Sequence, residues 1–183
     1  MKKKDFFTIT SQLDFPFLET NTALLKEIFE ILKLKFGLLK NSKQKLIDLG
    51  SGNGQIIIYS ALNYGIKSIG IEINKDLIKE AKTKIKSLKN QKSYSLRRLR
   101  KVKLIYGDLF KMSLKSFDYI YIFSLPTMQK YLRHIFLTIK RNSIIIAYKY
   151  SLESFEDIFE LEYELKNEYK NQTISTYFYK KIR

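Results

Sequence analysis

Three of the chain's seven glycines fall within five residues, Gly50-Ser51-Gly52-Asn53-Gly54, directly after the apolar stretch Leu46-Ile47-Asp48-Leu49. Glycine lets a backbone turn tightly off a strand and leaves room for close approach. A short buried strand over 45–49, a glycine turn and a helix over 54–63 therefore open an α/β fold. The same alternation continues downstream. Residues 66–72 give a second strand ending on an acid, and Asn74 caps a helix with Leu77, Ile78, Ala81, Ile85 and Leu88 at helical spacing. Further strands are expected over 102–106, 117–123 and 143–149, with a helix over 127–139. Upstream, Leu24, Leu25, Ile28, Phe29, Ile31 and Leu32 mark a helix over 22–34, with Thr20 or Asn21 as its cap. Past residue 157, Phe159, Leu161, Tyr163 and Leu165 alternate with Glu160, Glu162 and Glu164, a strand pattern of period two. A turn over Lys166–Gln172 and a last strand over 174–181 complete it. The expected fold is a doubly wound seven-stranded α/β sheet, mostly parallel, closed by a C-terminal antiparallel hairpin.

At 183 residues the chain is expected to form one domain, residues 1–183, with 1–40 as a helical lead-in. It has no cysteine and one histidine, which excludes disulfides and thiolate metal sites and disfavours a zinc site. No metal is expected. Neither a signal-peptide core nor an apolar run long enough to span a membrane is present, and a cytoplasmic protein is expected. The net charge of +16 has two readings. One is an acidic or nucleic-acid partner. The other is compositional, since the chain is rich in Lys, Ile, Asn, Tyr and Phe together.

Three acids stand at strand ends. Asp48 lies two residues before the first glycine, where a pyrophosphate would meet like charge. A cofactor carrying an ammonium and a sulfonium suits it better, which favours S-adenosylmethionine over NAD. The third glycine also falls one place early for a dinucleotide fingerprint, with Gln55 in its position. Glu72 ends the second strand, placed to accept from ribose hydroxyls. Asp108 ends the third, placed either to accept the adenine amine, with the Leu109 N–H meeting a ring nitrogen, or to cap the next turn. His134 is read as a surface residue in mid-helix. Residues 86–103 hold eight Lys or Arg and read as a basic insertion, either a solvated loop or a dock for an acidic partner or nucleic acid.

Asp48-Leu49-Gly50-Ser51-Gly52-Asn53-Gly54, Gly70-Ile71-Glu72-Ile73-Asn74 and Gly107-Asp108-Leu109 together resemble the Rossmann-like class I S-adenosylmethionine-dependent methyltransferases. Ile122-Phe123-Ser124-Leu125-Pro126-Thr127-Met128 is similar to the fourth-strand segment of a small protein-lysine methyltransferase family. Its members include archaeal broad-specificity enzymes and mitochondrial enzymes acting on ATP synthase and the adenine nucleotide translocase. The resemblance implies a cofactor site of Thr20, Asp48, Gly50, Ser51, Gly52, Gly54, Glu72, Asp108, Leu109 and Phe123. It implies a substrate mouth of Ser124, Leu125, Pro126, Tyr148 and Tyr150. Two departures stand out: Glu19 replaces a proline before Thr20, and Ala147-Tyr148-Lys149-Tyr150 lacks the family's usual pattern after the fifth strand. Ser-Leu-Pro-Thr at 124–127 also disfavours methylation of base amines, and Pro126 alone reads as a helix start. The expected activity is methyl transfer to an amine, foremost a protein lysine. An RNA methyltransferase and a cofactor-binding module without turnover are the alternatives. No catalytic residue is assigned.

Overall fold

The computed structural model describes residues 22–169 and 172–183. A helix α1 (Thr22–Lys35) leads into β1 (Lys45–Leu49), α2 (Gln55–Tyr64), β2 (Lys67–Glu72), α3 (Lys75–Asn90) and a single turn α4 (Leu96–Leu99). There follow β3 (Val102–Tyr106), β4 (Tyr119–Phe123), short helices α5 (Pro126–Gln129) and α6 (Arg133–Phe136), and β5 (Ile144–Tyr148). The hairpin is β6 (Phe159–Tyr169) and β7 (Gln172–Lys181). All seven strands join one sheet in the order β3-β2-β1-β4-β5-β7-β6. The first five run parallel. β7 lies antiparallel to β5, and β6 to β7. The expected architecture is the one observed.

Period-two alternation sends neighbouring side chains to opposite faces. On one face Leu46, Tyr121, Ile146 and Phe178 meet Leu25, Ile28, Phe29 and Leu32 of α1 and Ile57 of α2. Each such fully buried apolar side chain contributes about 1.5–3 kcal/mol. Phe29 stacks on Tyr64 with ring centroids 5.2 Å apart. On the other face Ile47, Ile71, Ile120, Ile122 and Ile145 meet Phe117, Leu132, Phe136 and Phe155. That cover comes from short helices and turns, because only twelve residues, with one 3-10 turn at Leu109–Lys111, separate β3 from β4.

Four expectations shift. The helix over 127–139 is two short pieces, because the bonds Tyr131 N–H to Met128 O and Leu132 N–H to Gln129 O tighten to three-residue spacing. β4 begins at Tyr119 rather than at 117, because Phe117 closes a turn onto Leu114 O. The strands of the hairpin take up most of the stretch expected as a turn, running to Tyr169 and resuming at Gln172. In β6 a register shift between Leu161 and Tyr163 inserts an extra residue. It moves Tyr163 and Leu165 to the helix-rich face, opposite Phe159, and leaves Leu161 exposed. The caps proposed at Thr20 and Asn21 lie outside the described residues.

Candidate functional site

Strand order reverses between β2-β1 and β4-β5, so the crevice at the carboxyl ends of β1 and β4 is the topological switch point of the sheet. The glycine turn sits there. Gly50 and Ser51 N–H both donate to Ile71 O, at 3.0 and 2.9 Å, which ties the turn to β2. Gly54 caps α2 in the left-handed region (φ 79), a conformation that strains any residue with a Cβ. Gly70 serves by its lack of bulk. A Cβ there would lie 2.4 Å from Ser51 Oγ and 2.9 Å from Ile57 Cδ1. The Ser51 side chain therefore rests on Gly70.

Glu72 is buried, and its carboxylate binds the backbone of two turns. Oε2 accepts from Gly52 N–H at 2.9 Å; Oε1 accepts from Ile73 and Asn74 N–H, each at 2.8 Å. A carboxylate offers about four lone-pair directions. Oε1 has both of its own filled, and Oε2 keeps one for a ligand. Asn74 in turn caps α3, as expected, accepting from Asp76 and Leu77 N–H.

Asp48 is 3% exposed beside Tyr121 of β4 in the register. Burial, and secondarily the nearby Glu72 carboxylate, push its pKa up to about 8. Of the two roles expected of Asp108, the structure shows the cap and leaves its second oxygen open. Oδ1 accepts from Phe110 N–H at 2.9 Å and caps the turn at Leu109–Lys111, whereas Oδ2 is buried with no partner among the described residues. Ser124 Oγ and Ser51 Oγ are also buried without one. Buried polar atoms are nearly always satisfied in native proteins. Unpaired oxygens at the ends of β1, β3 and β4 therefore fit a ligand that brings donors and positive charge. Leu109 packs half-buried against the core beneath them.

Phe123, expected in the cofactor site, lies beside Tyr148 and Tyr150, expected at the mouth. Phe123 lies 6.1 Å from Tyr148 and 5.8 Å from Tyr150, centroid to centroid. Lys149 between the tyrosines takes a positive φ of 71, its N–H donating to Ser175 O. Leu125 caps α5 with Pro126 as its first residue, so the helix-start reading of Pro126 holds. His134 is exposed, its Nε2 2.6 Å from Phe110 O, and lies on the surface as expected. Thr20 lies outside the described residues.

Sequence reasoning missed three supports. Gln129 is buried and donates to Ser151 O at 2.7 Å, tying α5 to the segment after β5. Asn53 donates to Glu80 Oε1 at 3.1 Å, fixing the glycine turn to α3. Gly70 is the third, and its signal was present: a glycine inside a strand marks close approach. In the basic stretch 86–103, Leu99 is buried, while Arg98 and Lys101 donate to Leu62 O and Gly65 O at the end of α2. Cations suit that helix end, so part of the stretch is structural.

A family profile described as the ANTKMT methyltransferase domain matches residues 48–158. The chain is 27% identical over 150 residues to a Caenorhabditis elegans lysine N-methyltransferase named for ATP synthase, covering 82% of this chain and 74% of that one. Among solved structures, an RNA methyltransferase from Salinibacter ruber in complex with S-adenosyl-L-homocysteine superposes with a TM-score of 0.72. It is 20% identical and covers 90% of this chain and 94% of its own. The magnesium protoporphyrin IX methyltransferase of Synechocystis PCC 6803 with bound S-adenosylmethionine gives 0.67 at 13% identity, covering 91% and 86%. At such identities these structures establish the fold alone.

Proposed function

Since the chain belongs to the ANTKMT methyltransferase domain family, we propose that it methylates a lysine side chain in a protein, with S-adenosylmethionine as the donor. The cofactor follows from the family. The named activity of the Caenorhabditis elegans relative supports the acceptor. The observation that carries the site is the set of buried acids and unpaired oxygens at the carboxyl ends of β1, β2, β3 and β4.

When bound, S-adenosylmethionine supplies a methyl carbon on a positively charged sulfur, so an amine displaces it directly with no covalent intermediate on the protein. Asp48 lies where the cationic part of the cofactor is favoured, and that charge in turn favours its carboxylate form. Glu72 Oε2 offers its open direction to a ribose hydroxyl, and Asp108 Oδ2 accepts the adenine amine. The backbone of Gly50–Gly54 lets the cofactor approach closely. Phe123, Tyr148 and Tyr150 wall the mouth. An apolar wall lowers the pKa of an incoming lysine from its ordinary value near 10.4, raising the neutral fraction that can attack. Holding nitrogen, methyl and sulfur in line is worth about 7–11 kcal/mol. No side chain is assigned as a general base.

Labelled S-adenosylmethionine incubated with the protein and a cell extract, followed by nuclease or protease, tests the acceptor. Label is expected to survive nuclease and be lost with protease. Label that survives protease and is lost with nuclease sinks the lysine reading in favour of RNA.

A further inference from the structure

The amino ends of the strands carry a second feature. A groove of about 790 Å³ opens beside the starts of β1, β2 and β3 and is lined by Lys43, Lys45, Lys67, Arg100, Lys101 and Lys103. Among the described residues no carboxylate and no aromatic ring lines it. Lys45 and Lys67 are register partners, and Lys103 is partnered with Ile69, two residues on from Lys67. With alternation along each strand, these three lysines project from the same face, on strands about 4.8 Å apart. Among the described residues none of the six cations is in an ion pair. Lys101 is held on Gly65 O. Asp118, whose Oδ2 accepts from Lys45 N–H, is already paired with Lys140.

Six like charges around one concavity repel one another, and an anionic ligand relieves that repulsion. The groove opens at the end of the sheet away from the cofactor site, about 16 Å off along a five-residue strand. A ligand held there would lie away from the reacting groups. The absence of any aromatic removes the stacking platform that single-stranded nucleic acids use. The volume lies in the range of pockets that take small ligands or short segments, not a duplex. Carboxylates on alternate residues of an extended peptide recur about every 6.6 Å, a spacing that a strand edge can match.

We propose that this groove docks an acidic segment of the protein that carries the acceptor lysine, holding the substrate at one end of the sheet while its lysine enters at the other. This rests on the protein-lysine reading. The test variant is K45E/K67E/K103E, all at exposed or half-exposed positions outside the cofactor site and leaving Lys101 on its carbonyl. Two measurements are made on the full chain. The first is binding of a fluorescent ten-residue oligoglutamate and of a twenty-nucleotide oligouridylate at 150 mM salt. The second is steady-state methylation of the main protein labelled in extract. The expected result is oligoglutamate binding that falls at least tenfold in the variant, and an acceptor KM raised at least tenfold with kcat and cofactor affinity kept. Unchanged KM with an intact wild-type activity overturns the groove proposal alone. An absence of labelled protein with the wild-type chain, when cofactor binds, overturns the lysine reading instead. Oligouridylate bound more tightly than oligoglutamate, and lost in the variant, overturns the proposal in favour of nucleic acid.

Discussion

The two ends of the parallel sheet are chemical opposites. At the carboxyl ends stand Asp48, Glu72 and Asp108, with buried oxygens awaiting donors. At the amino ends stand six lysines and arginines around a groove with no acid among the described residues of its lining. The carboxyl end is buried, so a single charge there is costly and its energetics are set by desolvation. The amino end is exposed, so salt screens each charge and only the cluster has weight. Single substitutions should therefore be felt strongly at the first end and weakly at the second.

Changing Glu72 to Ala tests this most severely. It removes an acceptor from the Gly52, Ile73 and Asn74 amides as well as from the ligand. We expect a loss of about 1–3 kcal/mol in stability, the cost of leaving the one buried donor, Gly52 N–H, unpaired, since the Ile73 and Asn74 amides lie at exposed residues. Cofactor affinity should fall by about 100-fold, equal to ~2.7 kcal/mol. Calorimetry and a chemical melt check both, and unchanged affinity would remove Glu72 from the site.

Next in size is the pH response of Asp48. Folded, it holds its proton up to about pH 8; its ordinary value is 3.8. Between those values the native state binds one proton more than the unfolded chain, so stability falls as pH rises, by about 1.4 kcal/mol per unit. A cation beside Asp48 favours the carboxylate, so cofactor affinity should rise up to about tenfold per unit toward pH 8. Asp48→Asn flattens both slopes. Slopes unchanged in that variant would assign the response to another group.

Gly70→Ala forces Ser51 away and should cost about 1–3 kcal/mol by overpacking. A melting temperature equal to the parent's would show that the Ser51 side chain yields to a Cβ at residue 70 without cost. Asp108→Asn keeps the oxygen that caps the turn and replaces the unpaired one with a donor. Cofactor affinity should fall by about tenfold, ~1.4 kcal/mol, with stability nearly unchanged. The smallest effect closes the comparison. K45E/K67E/K103E should leave cofactor affinity within about twofold, because roughly 16 Å exceeds the Debye length at physiological salt.

Much of this was legible from residues alone. Five apolar runs, three of them ending on acids or glycines, gave five parallel strands. Their order, with the acids and the glycine turn, placed the carboxyl-end site. What escaped depends on contacts distant in sequence. Nothing local in Phe159–Leu165 announces a bulge, so the period-two pattern put Phe159 and Tyr163 on one face when the structure puts them on two. Gln129 looked like an ordinary helical residue until Ser151 O was found opposite it. The basic stretch read as loop because its charges hide their structural use. Arg98 and Lys101 finish α2, more than thirty residues upstream.

The threefold grip of Glu72 has a consequence for how the protein meets its cofactor. One carboxylate joins the glycine turn to the start of α3, through Gly52 N–H on one oxygen and Ile73 and Asn74 N–H on the other. Protection of the Gly52 amide is therefore expected to fall in Glu72→Ala, read by hydrogen exchange. The carboxylate thus pre-sets both turns, so little ordering is left to cost affinity when a ligand binds between them.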